Sequence, residues 1–375
     1  MKTQIILVGG QVLPSYYTIK KFAPDVVHFI ATDKTESQAQ RLKEAISPSI
    51  VGYVHLVDAY RLDTVRQCCE KIHEQGEGEY QYNLTGGTKP MAFAAYRVAI
   101  EHHASTLYIT AENERLDIDS GSYEPFDIGL SNEEIIRLSG NNVLSRNVID
   151  LLPKGKVQAA KRILYFIRSR YRDHAKLRRK LENYWATDCD VTPRSDVMDD
   201  GYSVFEFAED MQLYIKGGGY LKLIDASGTE LFSLNGREDY LLYRGGDWWE
   251  VVTLSAAWEI FGGKQELWTN VVFNKVVDTP KNEADLLLNL NSKLLFFECK
   301  SGKVDQDDIY RMRSVRDTYG GDISNSILIS YYPVDERIID KCRDANIDVF
   351  APEVVYEAGR KIKELPQYLR RYLIE

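Results

Sequence analysis

The first third of the chain alternates short apolar runs with stretches whose apolar residues recur every three or four positions. The runs Gln4 to Val8, Val26 to Ala31, Val51 to Val57, Tyr80 to Leu84 and Thr106 to Thr110 predict strands. Between them, Ser15 to Phe22, Glu36 to Ile46, Thr64 to His73 and Pro90 to His102 predict helices. Strict alternation of this kind builds a parallel sheet with helices on both faces, and ligands of such sheets sit outside the carboxyl ends of the strands. The loops at that end are Gly9 to Leu13, Thr32 to Thr35 and Thr85 to Lys89.

The pattern then changes twice. From Lys154 to Lys180 an apolar stripe of Val157, Ala160, Leu164, Ile167 and Tyr171 predicts one amphipathic helix, and eleven Lys/Arg against the single acid Asp173 make its other face strongly basic. That face suits either a nucleic-acid surface or an interdomain strut. Asp188 to Asp210 is acidic and reads as a loop, and short strands at Tyr220 to Ile224, Glu230 to Leu234 and Tyr240 to Tyr243 suggest a small β element. Further on, Val251, Leu254, Ala257 and Trp258 mark a helix that begins around Asp247. Asp305 to Asp317 and Asp335 to Ala345 read as helices, Ile327 to Tyr331 and Ile347 to Phe350 as strands.

Between these lies Asn282 to Gly302, NEADLLLNLNSKLLFFECKSG, which reads as a β-hairpin turning on Asn291-Ser292. If Leu290 pairs with Lys293, counting outward sets Asp285 opposite Glu298. Two carboxylates so placed repel unless something positive lies between them, and a divalent cation is the natural candidate. Lys300 shares the face of Glu298, whereas Cys299 points into the core. Two hard oxygen ligands and an ammonium suit metal-assisted phosphodiester hydrolysis, in which the ammonium stabilises developing charge. Downstream, Lys303, Arg311, Arg313 and Arg316 suit phosphate contacts or pairing with Asp305, Asp307 and Asp308 equally well.

The order Asp, spacer, Glu-x-Lys on an apolar hairpin resembles the PD-(D/E)xK nuclease fold. In that fold a preceding helix usually adds an acid, which implies Glu250 here. The resemblance assigns Glu250, Asp285 and Glu298 to Mg²⁺ or Mn²⁺ and makes all three catalytic together with Lys300. Glu283-Ala284-Asp285 stands where the family name has Pro-Asp.

Composition narrows the class without choosing the activity. The chain has 375 residues, 44% of them apolar, which suggests two or three domains. Five cysteines are an odd count that suits a reducing compartment, and no apolar run is long enough for a signal peptide or membrane span, so a cytoplasmic protein is expected. A net charge of -9 leaves nucleic acid as a partner only through a locally basic surface.

The remaining motif is Asn83-Leu84-Thr85-Gly86-Gly87-Thr88-Lys89-Pro90-Met91, a strand exit that turns on two glycines and enters a helix with Pro90 in its first turn. Backbone N–H groups at a helix start, with Thr85, Thr88 and Lys89 as donors, make a phosphate cradle; the alternative is a tight turn with no ligand. Together with VGGQVLPSYYTIKKFAPDVVHFIATDKT near the start, this motif resembles the CARF sensor domain of CRISPR-associated proteins. The whole chain is similar to the single-chain, DNA-nicking effectors of type III CRISPR systems.

That resemblance implies a Rossmann-like CARF domain at 1–145, a helical and β linker region at 146–239 and a restriction-endonuclease-like domain at 240–375. It implies a homodimer that is activated by cyclic tetra-adenylate and cuts DNA, with RNA as a second substrate class. The activator would be lined by Gln11, Thr32, Thr85, Gly86, Gly87, Thr88 and Lys89. Two rivals are a regulator whose nuclease fold only binds, and an enzyme that degrades its own cyclic ligand.

Overall fold

The computed structural model of the chain describes residues 1–110, 114–125, 129–184, 200–274, 282–320, 324–351 and 365–373. Its first sheet contains β1 (Lys2–Leu7), β2 (Val26–Ala31), β3 (Val51–Leu56), β4 (Glu79–Asn83), β5 (Ser105–Ile109), β6 (Glu114–Asp117) and β7 (Tyr123–Pro125), in the order β3-β2-β1-β4-β5-β6-β7. The first five are parallel, as the alternation predicts. The antiparallel edge β6–β7 was not expected, because ERLD and YEP carry no apolar alternation.

The helices here are α1 (Leu13–Phe22), α2 (Glu36–Ala45), α3 (Leu62–His73) and α4 (Lys89–Glu101). Alternate residues of β1 feed two cores: Ile6 pack with α1 and α2, while Ile5 and Leu7 pack with α3 and α4. Because β1 has β2 on one side and β4 on the other, its carboxyl end is the point where strand order reverses.

After α5 (Asn132–Leu138), strand β8 (Asn142–Val148) leaves the first sheet altogether. It forms the edge of a six-stranded sheet, β17-β16-β15-β14-β13-β8, whose other strands are β13 (Leu267–Asn274), β14 (Asn282–Leu290), β15 (Lys293–Lys300), β16 (Asn325–Ser330) and β17 (Ile347–Phe350). Residue 145, the expected end of the first domain, therefore lies within a strand of this second sheet.

The chain segment inserted between β8 and β13 holds α6 (Lys154–Ser169), α7 (Tyr171–Tyr184) and a four-stranded antiparallel sheet, β9 (Ser203–Ala208), β10 (Met211–Lys216), β11 (Tyr220–Asp225) and β12 (Glu230–Asn235). The single basic helix expected over 154–180 is thus two helices. Arg170 leaves helical geometry between them, its N–H donating to the Phe166 carbonyl and its guanidinium meeting Asp173 at 3.1 Å in the first turn of α7. Val157, Ala160, Leu164 and Ile167 are buried, in one core with α9 (Trp248–Phe261), while most of the basic side chains on these helices are exposed or partly so.

Two further expectations change. Tyr240 to Tyr243 lies in helix α8 (Arg237–Gly245), not a strand. YLLY is too short to separate the two periods, and Glu238 and Asp239 in the first turn, with Arg244 in the last, complement a helix dipole. The acidic stretch from Asp188 lies outside the described residues as far as 199, and its remainder includes β9 rather than loop alone.

The two large units share a core. Val12, Leu13, Tyr16 and Tyr17 of the first unit pack in one cluster with Trp268, Val271, Leu287, Leu294 and Phe296 of the second sheet. The turn between β14 and β15 is pinned there. Tyr17 Oη donates to the Ser292 carbonyl at 3.2 Å, Ser292 Oγ accepts from the Leu130 N–H at 2.7 Å, and Asn289 Nδ2 donates to the Leu130 carbonyl at 2.6 Å.

Candidate nuclease site and sensor loop

The hairpin register is the one counted from the sequence. Leu290 pairs with Lys293 and Leu286 with Phe297, so the next pair outward is Asp285 with Glu298. Asn291 and Ser292 both have positive φ, 50° and 69°, the backbone of a two-residue hairpin loop whose twist matches its strands. Asn289 Oδ1 accepts from the Ser292 N–H and closes the turn. Cys299 is buried, as expected, and its backbone N–H donates to Asp285 Oδ2 at 2.6 Å.

Glu250 comes from the first turn of α9, which Trp249 anchors by donating its indole N–H to the Ile329 carbonyl at 2.9 Å. Burial and the neighbouring Asp285 push the Glu250 carboxyl up to about 8. Asp285 is pushed up to about 7 by burial and by Glu298, against the pull of the Cys299 N–H and Lys300. These two carboxyls are held where shedding their protons is unfavourable without a nearby cation.

Glu298 has a different environment. Lys300 Nζ lies 3.0 Å and Arg311 Nη2 2.5 Å from its Oε1, and the same two cations reach Asp308 Oδ1 at 2.9 and 3.0 Å. Burial would lower the Lys300 ammonium, but Asp308 and Glu298 hold it above its ordinary range. Asp308 sits in the first turn of α10 (Gln306–Tyr319), where Asp305 caps the helix by accepting from the Asp307 and Asp308 N–H groups. Arg311 therefore pairs with acids, as does Arg313 with Asp317 at 3.5 Å; Arg316 spans Asp317 and the carbonyls of Ala345 and Asn346. Asp308 was not singled out as a site residue, although its i,i+3 spacing to Arg311 was there to read.

Asp285 and Glu250 open onto a cleft of about 250 Å³ that is also lined by Asp247, Asn147, Asn270 and Lys156. None of these last four was expected in the site. Asn147 belongs to β8 and Lys156 to α6, far from the hairpin in sequence. Among the described residues no three His, Cys, Asp or Glu side chains are gathered as a preformed metal cage, and Glu298 is engaged by two cations. The three acids assigned to metal are thus neighbours, without forming a closed set.

At the sensor end, the loops after β1 and β4 touch. A Cβ on Gly86 would lie 2.2 Å from the Leu7 carbonyl oxygen and 2.5 Å from the Gly9 nitrogen, so only glycine fits this approach. Gly87 has φ of +75°. Thr85 Oγ1 accepts from the Ile109 N–H at 2.9 Å, and the Thr88 hydroxyl caps α4 and donates to the Ala59 carbonyl. Those two hydroxyls are therefore structural as they stand. Thr32 is tied to Thr35, while Gln11, Gly87 and Lys89 are exposed at the same end of the sheet.

A doubly wound sensor fold with a glycine cradle at its switch point, joined to a sheet that carries Asp, Glu-x-Lys and a helix acid, defines an α/β protein of the sensor-nuclease class. More particularly, residues 3–127 belong to the Card1 CARF domains and residues 238–368 to the Card1-like endonuclease domains. The chain thus joins a Card1-type CARF domain to a Card1-like endonuclease domain.

Among solved structures it is similar to Can2 from Sulfobacillus thermosulfidooxidans in complex with cyclic tetra-adenylate, with TM-score 0.71 and 19% identity over 100% of this chain and 98% of that one. It is similar to protein VC1899 from Vibrio cholerae, with TM-score 0.71 and 15% identity over 99% and 97%. A type III CRISPR defence DNA nuclease activated by cyclic oligoadenylate matches with TM-score 0.56 and 16% identity over 96% of this chain and 51% of that one. At these identities the likeness is one of fold. No curated protein matches the chain.

Proposed function

We propose that this chain is an endonuclease switched on by a cyclic oligoadenylate, cyclic tetra-adenylate in the first instance, which it binds as a homodimer in the cytoplasm. The observation that carries the reading is the meeting of Asp285 and Glu250 in one cleft, two half-buried carboxyls, Glu250 raised by burial and by Asp285 and Asp285 by burial and by Glu298, beside the Glu298–Lys300–Asp308–Arg311 network. A module that only binds nucleic acid has no use for crowded acids facing a cleft, because they repel phosphate.

The donor chemistry fits a hard dication, Mg²⁺ or Mn²⁺, held by Asp285 and Glu250 and, once its pairing with Lys300 and Arg311 loosens, by Glu298. When bound, such an ion supplies Lewis acidity and an activated water. The Cys299 N–H fixes the Asp285 carboxylate, α9 presents Glu250, and Asp308 and Glu298 keep the Lys300 ammonium charged and placed to meet charge developing on a phosphate.

In the sensor, Gln11, Thr32, Thr85, Gly86, Gly87, Thr88 and Lys89 would line the activator. The contacting glycine loops let its backbone approach, and Lys89 at the α4 start offers charge to its phosphates. Support comes from the matched CARF domain and from the likeness to Can2, a fold solved with cyclic tetra-adenylate. DNA is the proposed substrate, nicked as duplex or cut as single strand, with RNA second.

The test is cleavage of labelled single-stranded DNA, duplex DNA and RNA, with and without cyclic tetra-adenylate and Mn²⁺. Cutting that needs both additions supports the reading. Cutting that is indifferent to the activator, or no cutting of any substrate, refutes it.

A further inference from the structure

Asn270 stands at a fault in the sheet. On one side β13 pairs with β14 through Thr269 with Leu286 and Val271 with Ala284, which sets Asn270 abreast of Asp285. On the other side the pairing with β8 jumps from Thr269 to Val272, so the strand bulges at this residue. Asn270 has φ of 51°, one of the few left-handed non-glycine residues among those described. A bulge beside a site re-aims a side chain, and a left-handed backbone persists only where the surroundings hold it.

The side chain so aimed is an exposed amide in the cleft that Glu250 and Asp285 line. Its Oδ1 accepts from Asn147 Nδ2 at 3.3 Å, which orients the amide and leaves its own NH₂ as the donor end. Lys156, exposed in the first turn of α6, is the basic residue lining the same cleft, and its charge acts on Asp247. A pocket with three acids repels a phosphodiester unless donors offset them, and these two exposed side chains are donors there outside the Glu298–Lys300–Asp308–Arg311 network.

We propose that Asn270, braced by Asn147 and assisted by Lys156, is a positioning residue that holds the phosphodiester of a nucleic-acid strand against Asp285. The proposal deepens the nuclease reading and rests on it. It also gives the inserted helices and β8, which lie outside both matched domains, a direct part in substrate binding.

The decisive variant is Asn270→Gly, which keeps the left-handed backbone available and deletes only the amide. In the full chain with cyclic tetra-adenylate and Mn²⁺, it should raise KM for a fluorescein-labelled DNA strand about 10- to 100-fold, the range for one hydrogen bond to a charged group. Its kcat should change less and its Tm should not fall. Lys156→Ala should lower the slope of log kcat/KM against log salt by about one, and Lys156→Arg should restore it. Fluorescence anisotropy of the same strand with Ca²⁺ gives a readout that needs no cutting.

If both variants bind and cut as the wild type does, the bulge is only a feature of the sheet and the proposal is overturned. A wild type that binds but never cuts sinks the nuclease reading, while the anisotropy of the variants still decides the role of Asn270. A wild type that neither binds nor cuts overturns both.

Discussion

Asn289→Ala breaks hydrogen bonds at the joint between the two large units. The Asn289 side chain is buried, donates to the Leu130 carbonyl at 2.6 Å and accepts from the Ser292 N–H at 2.8 Å. Alanine leaves both backbone groups buried without that partner, and each such loss costs about 1–3 kcal/mol, so the variant should be less stable by about 2–6 kcal/mol. At roughly 2 °C per kcal/mol for a chain of this size, Tm should fall by about 4–12 °C in a calorimetric scan. Tyr17→Phe removes the neighbouring bond to the Ser292 carbonyl and should cost about 1 kcal/mol alone. Because both changes loosen the same turn, the double variant should lose less than the sum. The same turn joins the two strands that carry Asp285 and Glu298, so Asn289→Ala should also lower cutting at saturating cyclic tetra-adenylate while leaving the affinity for that ligand unchanged. A Tm within about 1 °C of wild type, with a full response to activator, would refute the idea that this contact carries either stability or coupling.

Three other outcomes are expected. Glu298→Ala should abolish cutting and leave activator binding intact, since Lys300 and Arg311 retain Asp308; cleavage and calorimetric titration of the activator check both halves. Lys89→Ala should weaken activator binding by about 1.5–3 kcal/mol through loss of a charge-assisted contact, with cutting recovered at saturating activator; unchanged affinity would mean the loop is only a turn. Burial pushes His174 down to about 4, so between pH 6.5 and 4 the unfolded chain binds a proton that the folded chain does not. Stability should therefore fall as pH drops through that window and level off below it; His28 and His73, also pushed down to about 4 by burial, add to the same limb, so His174→Phe should make it shallower without abolishing it in urea titrations run at several pH values.

What could be read from the chain was whatever local chemistry decides. Asn291-Ser292 fixes a two-residue loop, and with a side-chain period of two the loop sets every pair of the hairpin, Asp285 with Glu298 included. Glu250 followed from the resemblance, which asks for an acid on the preceding helix, once the start of that apolar helix was marked in sequence. The sheet membership of β8 was not legible, because Asn142–Val148 alternates weakly and its partner β13 lies more than a hundred residues away. The same separation hid Asn147 and Lys156 from the site. Asn270 was hidden differently: its place depends on a bulge, and a single asparagine in an apolar run does not announce one. Tyr240 to Tyr243 failed for want of length, and Asp308 because its partner Lys300 comes from a different element.

The early arrival of β8 has a consequence for anyone who would take this protein apart. A fragment beginning near residue 240 keeps the β14–β15 hairpin but loses the strand that covers β13, and a bare apolar edge such as Trp268–Phe273 is a template for intermolecular pairing and precipitation. A fragment ending near 150 carries the orphaned strand the other way. Swapping sensors between such proteins would therefore have to move a boundary that runs through a hydrogen-bonded ladder, and a workable graft would carry β8 together with the nuclease.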